Sequence, residues 1–317
     1  MVHEVKPIAM RDAFLRRLYD AMDDDASIFL LSADFGSPVI DLIRADFPDR
    51  FINVGIAEQN LVNVATGLSL EGYKVFCYAI APFITMRCFE QIRVNLALLS
   101  EVRELNVNLV GVGAGYSYVV SGPTHQCYED LSIMRTLPNL SILSPSDHQL
   151  ASDCFDFAVS NKGPKYIRFD AQILPLLDAD NGSLSQGWRR LRTGTNVSLL
   201  TTGFATHTAL VVADRLASEH NISCEVIDVC RLDKDVDLAN AVEGTEFVSL
   251  EEAFEGRGGL DAFVRSRFGG SHSVLGIGVR PQYEFELGTR EELHEKVGIG
   301  SDSVVRRILS CINRISA

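Results

Sequence analysis

Amphipathic helical stretches alternate with short β-branched runs along nearly the whole chain, a grammar that fits parallel sheets covered by helices on both faces. In the first half, a helix with Phe14, Leu15, Leu18 and Met22 on one face precedes a strand at 27–31. A helix after Ser37-Pro38, a short strand at 51–54 and a helix at 58–71 follow. Next come a strand at 74–79, a helix at 82–98 and an apolar strand at 107–112 that runs into a Gly-rich loop. A helix at 127–135, a strand at 141–143, a helix from Asp147 and a strand at 165–169 complete this half. The polar, aperiodic run 178–187 marks a boundary. Beyond it lie strands at 197–201, 224–229, 247–250 and 274–278, with helices at 208–219, after Gly259 and at 303–312. The expected fold class is α/β with two domains, 1–180 and 190–317, and 317 residues suffice for a core in each.

Charge narrows the partners. With 29 Lys+Arg against 42 Asp+Glu the net charge is −13, which offers no long-range attraction to nucleic acid or anionic lipid. The seven cysteines are odd in number and mostly sit in apolar runs without a Cys-x-x-Cys pair, so buried thiols in a reducing, cytoplasmic setting are expected. The N-terminus lacks the basic start and apolar stretch of a signal peptide. The uncharged run 106–124 approaches membrane-spanning length but carries four Gly and a Pro, and reads as a buried strand followed by a loop.

Three segments carry candidate chemistry. The first is Asn53-Val-Gly-Ile-Ala-Glu-Gln-Asn60, with Leu61, Val64, Ala65 and Leu68 forming an apolar helical stripe behind it. Helical spacing turns the Glu58 carboxylate toward that buried side. A capping or dipole role accounts for such a glutamate, and so does a desolvated carboxyl that shares a proton with a ligand. The second is the loop from Gly111 to His125. Its glycines follow a strand, but the third falls one residue early and no helix follows, so this is no dinucleotide fingerprint. It still lies where open α/β sheets place ligands, and His125 stands just before the expected 127–135 helix, near its positive end. The third is Ala81-Pro-Phe-Ile-Thr-Met-Arg-Cys-Phe89, whose aromatics suit a core. Arg87 and Arg93 interrupt it, and Glu90 can pair with one of them.

Together these segments resemble the transketolase family of thiamine diphosphate enzymes. The resemblance rests on Ser32 to Ser37 (SADFGS), Gly55 to Asn60 (GIAEQN) and Gly122 to Gln126 (GPTHQ), followed by Glu129-Asp130-Leu131 and Leu137-Pro-Asn139. In the second half Leu199 to Gly203 and Ser249 to Leu260 look like that family's C-terminal domain. The implied architecture is a pyrimidine-binding domain, a parallel sheet with helices on both faces, followed by a transketolase C-terminal-like α/β domain. No Gly-Asp-Gly, the family's metal and diphosphate signature, occurs in this sequence. The resemblance therefore implies the C-terminal subunit of a split transketolase. An N-terminal partner subunit would supply the diphosphate half of the site and Mg2+ or Ca2+, in a heterotetramer.

The resemblance also implies roles. Glu58 would hydrogen-bond the aminopyrimidine ring, with Phe83, Phe89 and Met86 walling it, Met86 standing where some members have a third aromatic. Asp34 and Phe35 would lie near the cofactor, and His125 would contact the reacting sugar. Arg11, Ser37, Ser121 and Arg168 would face the rest of the substrate. Ser121 stands where the family usually has an acidic residue that reads a hydroxyl. A histidine and an arginine that commonly bind the sugar phosphate align with Gly113 and Ala171, and Arg168 is a candidate substitute. The implied reaction is transfer of a two-carbon ketol unit from a ketose to an aldose, with a sugar other than the usual phosphates expected. Rival readings are the beta chain of a 2-oxoacid dehydrogenase, a synthase of 1-deoxyxylulose 5-phosphate, and a non-catalytic regulatory subunit. The histidine context at 122–126 favours transketolase over the first.

Overall fold

Two sheets organise the chain in the computed structural model, which describes residues 7–268 and 273–315. The first half contains α1 (Met10–Asp24), β1 (Ile28–Ser32), α2 (Pro38–Asp46), β2 (Phe51–Asn53), α3 (Glu58–Leu70) and β3 (Lys74–Ile80). It continues with α4 (Phe89–Gln91), β4 (Val107–Val112), α5 (Asp130–Met134), β5 (Ser141–Leu143), α6 (His148–Ser160) and β6 (Lys165–Phe169). The second half contains β7 (Asn181–Ser183), β8 (Trp188–Arg192), β9 (Val197–Thr201), α7 (Ala205–His220), β10 (Cys224–Asp228) and β11 (Arg231–Leu232). It ends with β12 (Glu246–Phe254), α8 (Leu260–Phe268), β13 (Val274–Val279), α9 (Arg290–Val297) and α10 (Ser301–Ile315).

The first sheet runs β11-β5-β6-β4-β3-β1-β2, parallel except for β11, and the second runs β13-β12-β9-β10-β8-β7 with an antiparallel edge at β8 and β7. Both are the expected helix-covered α/β sheets. The α1 stripe holds, with Phe14, Leu15, Leu18 and Met22 all buried against one face of the first sheet. Among the described residues no helix is long and apolar enough to cross a membrane.

Several elements differ from expectation. The run 178–187 contains β7, whose Asn-Gly-Ser sequence carries no apolar alternation and which pairs only with β8 at the sheet edge. Two residues after β10, the chain adds β11 to the edge of the first sheet, so one backbone segment belongs to both sheets. A two-residue strand has no periodicity to read. The single helix expected at 82–98 is short α4 flanked by wide π-helical turns at Phe83–Arg87 and Ile92–Leu98. The Thr85 hydroxyl donates to the Ala81 carbonyl at 2.7 Å within the first of these turns. α5 begins at Asp130, because Cys127 instead forms an isolated antiparallel bridge with Gly115.

Lys165, at the start of β6, is 1% exposed and donates to the Gly163 carbonyl at 2.9 Å and to Asn106 Oδ1 at 3.2 Å. Burial pushes its ammonium down from 10.5 to about 7. Between these values the unfolded chain holds a proton that the folded chain lacks, so stability rises with pH across that window and the penalty is full below it. Lys165→Met should therefore melt several degrees above wild type near about pH 6, with the gain shrinking toward about pH 10. Thermal scans over pH check this, and a less stable variant at the acid end would contradict it.

Candidate active site

Strands β1, β3, β4 and β6 are parallel neighbours, so their carboxyl ends open on one edge of the first sheet. Open α/β sheets hold ligands outside such ends. Four loops and the first turn of α1 meet there. After β1 the chain turns through Asp34, a non-glycine residue at φ +55°. An Asn53 clamp holds it: Asp34 N donates to Asn53 Oδ1 at 3.1 Å, and Asn53 Nδ2 donates to Asp34 Oδ1 at 3.0 Å. Asn53 Oδ1 also accepts from Gly55 N at 3.0 Å, which fixes the turn into α3. Phe35 stacks on Tyr78, with ring centroids 5.2 Å apart.

Glu58 is the first residue of α3 and is 5% exposed. It caps nothing, since the N-cap Ala57 has no side-chain bond and the Glu58 carboxylate turns instead toward Arg87. Arg87 Nη1 donates to Glu58 Oε1 at 3.0 Å. Glu58 Oε2 has no hydrogen bond among the described residues. The Arg87 guanidinium lies 3.7 Å over the Phe83 ring, whose edge meets the His125 ring at 5.4 Å. His125 Nδ1 shares a hydrogen bond of 2.9 Å with Thr124 Oγ1. The structure thus brings three of the expected residues, Glu58, Phe83 and His125, into one cluster and adds Arg87. The π turn after Phe83 places Phe83 and Arg87 side by side, whereas Glu90 takes Arg93 at 2.7 Å.

The chain to either side is matched by family profiles: residues 6–175 by "Transketolase, pyrimidine binding domain" and 186–304 by "Transketolase, C-terminal domain". The chain belongs to the transketolase family. It is 30% identical over 304 residues to a 6-deoxy-6-sulfo-D-fructose transketolase subunit of Clostridium sp. (strain MSTE9), covering 94% of this chain and 92% of that one. To an apulose-4-phosphate transketolase subunit of Actinobacillus succinogenes it is 33% identical, covering 84% and 86%. A split-gene transketolase solved as an inactive beta4 tetramer superposes with a TM-score of 0.80 at 30% identity, covering 96% of this chain and 98% of that one. The chain spans about half of single-chain transketolases, 49% of the Rattus norvegicus enzyme.

Several residues aligned with transketolase site positions stand elsewhere. Arg168 is 4% exposed and committed to the fully buried Asp130, with Nε donating to Oδ2 at 2.8 Å. Burial alone would lower its pKa, but the Asp130 carboxylate more than offsets this and raises it. It is a buried counter-charge and not a surface substitute for a phosphate ligand. Ser37 is buried and accepts from Ile40 N at 3.3 Å as the N-cap of α2. Met86 is 41% exposed, Phe89 packs against the core, and neither has a ring contact or hydrogen bond to the Glu58 cluster among the described residues. Ser121 ends a short exposed 3-10 turn. His125 is five residues ahead of α5, outside the reach of that helix end.

Sequence reasoning passed over a buried knot beside the site. Arg290 Nη2 donates to Asp170 Oδ2 and Glu252 Oε2, each at 2.6 Å, and His294 Nε2 shares a hydrogen bond with Glu252 Oε1. Burial would raise Glu252, yet Arg290 and His294 drive it down to about 2. The signal that could have exposed the element was Thr289-x-x-Glu292, a complete capping box at the start of α9.

Proposed function

We propose that this chain is the C-terminal subunit of a two-chain transketolase that moves a two-carbon ketol unit from a ketose to an aldose. The observation that carries the reading is the Glu58 carboxylate, buried beside an aromatic ring and a histidine with one oxygen uncommitted. Transketolases depend on thiamine diphosphate, which supplies the carbon nucleophile and electron sink for the transfer.

The residues present fit the pyrimidine end of that cofactor. Glu58 Oε2 can accept a ring N–H or share its proton, and the low exposure of the carboxylate keeps water from competing. Phe83 offers an apolar face for a planar ring, held in place by Arg87. Asp34 and Phe35 border the same strand ends. His125, with Nδ1 engaged by Thr124, presents Nε2 to a sugar oxygen. In the net reaction the ketose C2–C3 bond breaks, the shortened aldose leaves, and the two-carbon unit joins the acceptor's carbonyl carbon without net oxidation.

The split-subunit relatives, which this chain spans nearly end to end, support placing the diphosphate and its Mg2+ or Ca2+ on an N-terminal partner subunit, in a heterotetramer. Two of the relatives act, by their names, on 6-deoxy-6-sulfofructose and apulose 4-phosphate, which supports a donor other than the usual pentose phosphates. The isolated chain should show no ketol transfer, and adding the partner should restore it; full activity of the chain alone would refute the two-chain reading. Efficient turnover of xylulose 5-phosphate with ribose 5-phosphate would refute the unusual donor.

A further inference from the structure

Gly113, just beyond β4, has φ +102°, and a Cβ there would lie 2.1 Å from Tyr118 Cε2. The phenol ring occupies the volume that any side chain at this position would need. Tyr118 is half-buried, packs on the same cluster as Phe35 and Tyr78, and lies on the loop that carries His125. Burial raises its phenol, the Arg11 guanidinium opposes the rise and Asp170 adds to it, so both charges lie within electrostatic reach. Arg11, in the first turn of α1, has Nε 3.5 Å from Asp12 Oδ1 and makes no hydrogen bond through it. The neighbouring Tyr78 ring is fully buried behind this wall and stacks on Phe35. Arg11 also acts electrostatically on Tyr78, the buried ring of that cluster.

Among the described residues of this chain, the buried arginines near this wall are paired with carboxylates. Arg290 is spent on Asp170 and Glu252, and Arg168 on Asp130. Arg11 is left, with a carboxylate already beside it. A phosphate monoester carries roughly 1.5 to 2 negative charges near neutral pH and is held by several charge-assisted donors. Setting a dianion against an aromatic ring and a half-neutralised arginine leaves charge unpaired. A neutral or singly charged group needs less: one guanidinium and one phenol hydroxyl suffice.

We infer that Tyr118 determines donor specificity: with Arg11 it forms the wall for the far end of the ketose, selecting terminal groups with at most one negative charge. A hydroxymethyl or sulfonate end fits, and a phosphate does not. The inference rests on the ketol-transfer reading above.

The test uses the assembled two-chain enzyme, one acceptor aldehyde and four donors: hydroxypyruvate, fructose, 6-deoxy-6-sulfofructose and fructose 6-phosphate. The better of the neutral and sulfonate hexoses should exceed the phosphate by more than about tenfold in kcat/KM. Tyr118→Ala should shift that ratio toward the phosphate by about fivefold or more, through KM, whereas Tyr118→Phe, which keeps the ring volume, should retain the wild-type order. Preference for the phosphate in wild type, no turnover of the two low-charge hexoses, or a ratio unmoved by Tyr118→Ala overturns the inference. Should Tyr118→Ala not fold, the wild-type order decides. Hydroxypyruvate has no carbon beyond the carboxylate that is lost, so its turnover reports ketol transfer without the far wall. Activity with it but the wrong hexose order removes the inference alone, and silence with every donor removes the reading as well.

Discussion

Glu58→Ala in the proposed two-chain enzyme is expected to lower kcat for ketol transfer by roughly 10²- to 10⁴-fold, the span associated with losing a positioned proton-sharing group. The carboxylate stands at the head of α3 with one oxygen on Arg87 and the other uncommitted, so truncation removes the carboxylate that holds the Arg87 guanidinium as well as the proton-sharing group. Glu58→Gln separates the two effects. It keeps a hydrogen-bonding side chain of the same length but cannot exchange the carboxyl proton, and should be impaired nearly as much. Size measurement of each variant complex shows whether assembly survives. Unchanged kcat in a complex that assembles would remove Glu58 from the proposed chemistry.

The largest stability effect is expected at Arg290. Its guanidinium sits 3.5 Å over the Phe204 ring and bridges Asp170 and Glu252, both nearly fully buried. Arg290→Met leaves two buried carboxylates without that counter-charge, a change that costs about 3–5 kcal/mol in comparable pairs. For a chain of this size the melting temperature should fall by about 10 °C, measurable by calorimetry. The pH profile adds a second readout. Glu252 is held at about 2 against an ordinary 4.5, so the stability it contributes is present above 4.5 and is lost as pH falls toward about 2. Wild type should therefore lose stability through that acid window, and Arg290→Met should show a shallower loss because its Glu252 has less to lose. A variant with wild-type stability and an unchanged acid slope would show that the knot contributes no net stability.

Much of the fold was legible because it depends on local period. The α1 stripe, the β-branched strands and the burial of Glu58 follow from residues a few positions apart, whereas the α3 face is turned slightly, burying Leu61, Val62, Ala65, Thr66 and Ser69 and leaving Val64 and Leu68 partly buried. The wide turns around α4 were not legible, since their residues read equally well as an ordinary amphipathic helix. Partner choice among charges was the other limit. Arg87 lies 29 positions from Glu58, and Arg168 lies 38 positions from Asp130. Which carboxylate each arginine meets depends on which groups the packed sheet removes from water together, because a buried charge takes whatever counter-charge shares its low-dielectric surroundings.

By itself, then, the sequence determined the α/β grammar, the transketolase motifs and the segments that border the strand ends. Only the tertiary structure decided that Arg168 and Ser37 serve the scaffold, that Arg87 joins Glu58, and that Tyr118 fills the space over Gly113. Helical and strand periods are set by the backbone within one or two turns, whereas charge pairing and the filling of space are settled between segments that meet only after folding.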